Sequence, residues 1–113
     1  MQHQIILSEA KKAAEAIRRD RQFLHRHAET GFELPQTLAY VKQRLEEMGY
    51  APAHCGKAGL VATAGTNHGK VLLLRADMDA LPIREESGVS FDCQEGRMHA
   101  CGHDMHTAML LGA

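Results

Sequence analysis

Apolar residues recur at helical spacing in the first half of the chain and gather into short runs in the second. Ala13, Ile17 and Leu24 share one face, which Phe23 widens. Ser8 is a candidate N-cap, and Glu9 suits a first turn, where the helix dipole favours an anion. The pattern predicts a helix from about Ser8 to Ala28, stopped before Gly31, with Arg18, Arg19, Asp20 and Arg21 on its solvated side. A second helix is marked more sharply. Pro35 fits a first turn, Leu38, Val41, Leu45 and Met48 form one apolar face, and Gly49 stands where a left-handed stop is expected. Lys42, Arg44, Glu46 and Glu47 read as its solvated surface.

The texture changes after Tyr50. "GLVATAG" and "KVLLLRADMD", joined by the polar turn "TNHG", read as two strands and a candidate hairpin. "VLLL" is continuous rather than alternating, which predicts a strand covered on both faces. "ALPIREESGVSFDCQEGR" reads as a loop. "HDMHTAMLLGA" opens a third helix, which reaches Ala113 without a cap, the pattern expected of the first part of a longer protein. Helix, helix, strand, strand and the start of a helix make the class α/β.

Composition narrows the function classes. A chain of 113 residues suits one domain with its own core. With 13 Lys plus Arg against 14 Asp plus Glu, nothing pushes toward nucleic acid or a membrane surface. The opening "MQHQIILSEAKKAAEA" lacks the features of a secretory signal, and no apolar run is long enough to span a bilayer. Cys55, Cys93 and Cys101 are an odd set, which argues for unpaired thiols and a cytoplasmic location.

The candidate chemistry lies in "MHACGHDMH", Met98 to His106. Thiolate and imidazole suit zinc and other late divalent metals, and the glycine between Cys101 and His103 lets the chain bend so that both reach one ion. His99, His103 and His106 also fall at helical spacings, so spacing alone leaves the ligand set open. "RADMDALP" follows directly on the predicted central strand, where open α/β sheets place their sites. Asp77 and Asp79 face the same way in extended chain and can ligate a metal, orient a ligating histidine, or cap backbone N–H groups. Arg75 is a ready partner for either carboxylate. His25, His27, Glu29 and Glu33 near a helix end, and the loop acids Glu85 and Glu86, read as incidental or solvated.

"LHRHAETGFELPQTLAYVKQRLEEMGY", "GLVAT", "LLLRADMDALPIREESGVSF" and "GRMHACGHDMHTAMLLGA" together resemble the N-terminal part of the metal-dependent aminoacylase/carboxypeptidase-type amidohydrolases. That family includes hippurate hydrolases, N-acyl-amino-acid amidohydrolases and auxin-conjugate hydrolases. The resemblance covers about Arg18 to Ala113. It implies that residues 1–113 are the N-terminal portion of a mixed-sheet, three-layer αβα zinc-peptidase-like catalytic domain. It implies amide hydrolysis of a small N-acyl amino acid by water activated between two divalent metals, Zn, Mn, Co or Ni. By motif match Cys101 and His103 are metal ligands and Asp79 orients a neighbouring ligand, while Asp77 stands where related peptidases carry a ligating histidine. His99 and His106 fall to supporting roles. The family's adjacent glutamate pair, two further histidines and lid or dimerisation domain have no counterpart here. The chain alone is therefore expected to be inactive. The alternative is a non-catalytic module that binds metal or forms a homo-oligomer through an open sheet edge.

Overall fold

Three helices and a two-stranded sheet form an α/β fold in the computed structural model, which describes residues 2–66 and 68–113. The first helix, α1, spans Gln2–Arg26, starting well before the predicted Ser8. No glycine or proline interrupts the residues ahead of Ser8, so nothing there breaks the helix. Leu24 is buried, but so is Asp20, which was expected on the solvated side. The Asp20 carboxylate accepts hydrogen bonds from Tyr40 Oη at 2.5 Å and Arg44 Nε at 2.9 Å. Those two donors lie on α2, Pro35–Glu47, so the carboxylate ties the first two helices together. Arg44, expected in solvent, is drawn in by that bond. Burial and the bond to Asp20 raise the Tyr40 phenol above its ordinary pKa.

The second helix is bounded as its sequence foretells. Gly49 has φ 93°, the Tyr50 N–H donates to Leu45 O, and the Gly49 N–H donates to Glu46 O, each at 3.0 Å. That is a Schellman stop. The start is different. Leu34 occupies the N-cap position and offers no side-chain acceptor. The buried Glu29 carboxylate takes its place, accepting the N–H groups of Gln36 at 3.1 Å and Thr37 at 2.7 Å.

The strands depart from expectation. The hairpin forms between β1, Ala53–Cys55, and β2, Gly59–Val61, antiparallel with His54 opposite Leu60. Residues 70–79 pair with no strand among the described residues. Val71, Leu72 and Leu73 are 95%, 82% and 80% exposed, against the expectation of cover on both faces. The reason is physical: a continuous apolar strand needs a sheet neighbour on each side and a layer above and below, and the described elements supply neither. Asn67, in the predicted "TNHG" turn, lies outside the described residues.

The last helix, α3, spans His103–Gly112 and packs on α1. Leu24, Val41 and Leu111 form the core shared by the three helices, with Tyr40, Leu45, Leu60 and Met78 against it. A second cluster joins Ala28, Ala80 and Cys93. No helix among the described residues is long and apolar enough to cross a membrane. Because Glu29 stands in for a missing N-cap, Glu29→Ala is expected to destabilise the chain by about 1–2 kcal/mol. The urea midpoint should drop at unchanged m-value.

Candidate metal centre

The end of the exposed run turns inward and is held at single points. The Ala80 N–H donates to Glu29 O at 2.7 Å, and Leu81 and Met98 exchange backbone bonds at 2.9 and 3.0 Å. These isolated bridges set Asp77 to Ala80 beside the start of α3. Gly102 holds φ 112° at the N-cap of α3, a left-handed turn that few side chains tolerate. Cys101 and His103 flank that turn.

His103 meets the Asp77–Asp79 segment directly. Its Nδ1 lies 2.8 Å from the Asp79 carbonyl oxygen and 3.0 Å from Asp79 Oδ1. A carbonyl oxygen can only accept, so Nδ1 carries the proton. In the neutral ring Nε2 then keeps its lone pair, 3.9 Å from Asp77 Oδ2. Asp77 is already engaged: Arg75 Nη2 donates to its Oδ1 at 2.6 Å, and Thr107 Oγ1 donates to its carbonyl at 2.8 Å. Cys101 is an exposed free thiol. Among the described residues no group of three or more His, Cys, Asp and Glu side chains is placed to hold a metal. Thus the donor chemistry suits a divalent metal at His103 Nε2, with Cys101 nearby in sequence, but the set is partial.

The other two histidines of the motif diverge. His106 is exposed, its ring centroid 6.0 Å from that of His103. His99 is buried with neither ring nitrogen partnered, and burial lowers its pKa, which keeps it neutral.

Behind the motif lies a polar network that sequence reasoning did not foresee. Asp104, the residue after His103, is fully buried, and its Oδ2 accepts from Arg21 Nε at 2.8 Å. His25 Nδ1 lies 2.8 Å from the same oxygen, and His25 Nε2 lies 2.8 and 2.9 Å from the two Glu85 oxygens. Ser87 Oγ donates to Glu85 Oε2 at 2.5 Å. Phe91 closes one side, edge-on to His25 and stacked under the Arg21 guanidinium. So Arg21 and Glu85 are not solvated, and His25 is not incidental. A signal was present: Arg21 and His25 follow Ile17 at steps of four, in phase with a residue of the apolar stripe.

Residues 73–113 match the model of Peptidase family M20/M25/M40. An N-acyl-L-amino acid amidohydrolase of Geobacillus stearothermophilus is 40% identical over 111 residues, covering 92% of this chain and 30% of that protein. A candidate aminohydrolase of methicillin-resistant Staphylococcus aureus superposes with TM-score 0.88 at 38% identity, over 98% of this chain and 30% of that one. A Bacillus subtilis dinuclear metal binding peptidase from the M20 family superposes with TM-score 0.82 at 36% identity, over 89% of this chain and 29% of that one. The family match rests on residues 73–113, and the chain shares the α/β fold of these two solved structures. It spans less than a third of the length of each of these three proteins.

The buried carboxylates make stability pH-dependent. Burial pushes the Asp104 carboxyl up, but the bonds from His25 and Arg21 outweigh it and leave it below its ordinary 3.8. Glu85 is likewise pushed up by burial and brought below 4.5 by Ser87, His25 and Arg21. A lowered folded-state pKa means that the unfolded chain binds the proton first as pH falls. The stabilisation is complete above the ordinary values and drains away as pH drops below them. Urea midpoints should therefore fall steeply below about pH 4.5, and Asp104→Asn should flatten that acid limb.

Proposed function

We propose that residues 1–113 are the N-terminal part of the catalytic domain of a metal-dependent amidohydrolase acting on N-acyl amino acids or similar small conjugates. The observation that carries this reading is the locked His103 ring, with Nδ1 spent on Asp79 and Nε2 left free. That is how a metal-ligating histidine is prepared. The Geobacillus relative supports the substrate class, and the Bacillus neighbour supports two divalent metals, with Zn, Mn, Co and Ni all suited to Cys and His donors. The three free cysteines favour a cytoplasmic setting.

In this reading Cys101 and His103 are ligands, and Asp79 holds the His103 proton in place. Asp77 is engaged by Arg75 through Oδ1 and is assigned no metal contact. When bound, the metal pair supplies a water of lowered pKa and polarises the amide carbonyl. The general base and the remaining ligands come from sequence outside these residues, since the described residues provide no third donor. The 113-residue chain alone is thus expected to turn over no N-acyl amino acid. Placed in the Geobacillus amidohydrolase in exchange for its matching segment, it should support hydrolysis, and Cys101→Ala or His103→Ala should remove that activity. A chimera indifferent to both substitutions would falsify the assignment.

The bare run Val71 to Leu74 favours a second reading, in which two copies pair through this run and the chain works as an association module. Sedimentation decides it: concentration-dependent dimers that vanish in Leu73→Lys are expected from pairing. A monomer at every concentration dismisses it.

A further inference from the structure

Rotation of α3 about its own axis decides where His103 points. Adjacent helix residues lie about 100° apart around the axis, so anchoring one sets the azimuth of the next. His103 and Asp104 are adjacent, and each is anchored to a different part of the fold. His103 is held by Asp79, Thr107 by the Asp77 carbonyl, and Asp104 by Arg21 and His25 of α1.

The two α1 donors differ in what they can enforce. The Arg21 side chain is 26% exposed and carries a long flexible stem, so it can follow a turning helix. The His25 side chain is 3% exposed and held at both nitrogens, by Asp104 on one side and Glu85 on the other. Phe91 packs edge-on at 5.4 Å between ring centroids. A rigid ring fixed at both ends sets the Asp104 position and, through the shared first turn, that of its neighbour. Glu85 belongs to a loop with no regular structure, so the ring also ties that loop to the start of α3.

We propose that His25 is a positioning residue for the candidate metal centre: by clamping Asp104 against Glu85 it sets the direction in which His103 presents Nε2 to a divalent cation. The proposal rests on the metal-site reading above. It assigns His25 no contact with metal or substrate.

The test uses the 113-residue chain and Co²⁺ as the probe. Two readouts are taken: Co²⁺ affinity from the thiolate-to-cobalt absorbance of Cys101, and the ring ¹⁵N shifts of His103 without metal. His25→Asn is expected to weaken Co²⁺ binding about ten-fold or more, the range seen when an outer partner of a metal ligand is lost. It should also move the His103 shifts away from a single Nδ1–H tautomer. Glu85→Gln, which loosens only the far end of the clamp, should shift both readouts the same way by less. Val41→Ala, which truncates the shared core without removing any partner of the clamp, controls for lost stability and should leave both unchanged.

A folded His25→Asn with wild-type affinity and wild-type shifts overturns the proposal, as does Val41→Ala producing the same changes. Should His25→Asn fail to fold, Glu85→Gln decides, and unchanged readouts there overturn it. If the wild-type chain binds no Co²⁺, the metal-site reading fails for this chain, and the ring shifts still decide the clamp on their own.

Discussion

A carboxylate without solvent needs donors before a chain can close around it, and Asp104 finds them on another helix. Arg21 and His25 both reach its Oδ2, and His25 passes the contact on to Glu85. Removing one partner from such a set leaves a buried charge uncompensated, which typically costs about 3–5 kcal/mol. The same set contributes little net stability while intact, since its formation strips water from every member. What it supplies is geometry. One docking of α3 on α1 brings Asp104 to Arg21 and His25, and sliding by a turn breaks both contacts. An adjoining part of α1 repeats the device with Asp20, Tyr40 and Arg44. The first helix is thus a post to which the other two are fixed by buried carboxylates, and apolar packing of Leu24, Val41 and Leu111 fills the space between.

The segment that carries Asp77 and Asp79 is secured differently. Upstream, Val71 to Leu74 stands in solvent without a neighbour. Downstream, backbone bonds to Glu29 and Met98 bring the chain into the fold within a few residues. Glu29 therefore has two functions at once: its carboxylate starts α2 and its carbonyl holds Ala80. Position 29 couples the second helix to the site without touching any donor of the site. The segment is well placed only at its C-terminal end, and this is the end that meets His103.

How much of this was legible follows from where the information sits. The second helix was readable because its signals are local: Pro35, a clean apolar face, and Gly49 with a left-handed φ. The third helix and the Cys-Gly-His turn were readable for the same reason. The first helix was found but its polar face was misjudged. Asp20, Arg21 and His25 lie among the apolar positions of the stripe, and their partners are Tyr40, Arg44, Asp104 and Glu85, far away in sequence. No local period announces such a pairing. The strand was misjudged for the opposite reason. "VLLL" has the continuous apolar pattern of a covered central strand, and such a strand depends on neighbours that its own sequence does not contain.

The candidate centre shows the same division between local and distant information. The Asp79 carbonyl fixes the His103 tautomer, and that bond holds whether or not other ligands are present, because it involves only residues of the chain. Cys101 is held by nothing comparable and stands free at the surface. A prepared imidazole beside an unprepared thiol is an asymmetric pair. The imidazole can meet an ion without reorganising, whereas ordering the thiol costs conformational entropy at the moment of binding. Further donors would lower that cost by defining where the ion sits. The two motif residues are therefore unequal in what this chain does for them: the fold fixes the His103 ring and leaves the Cys101 thiol free.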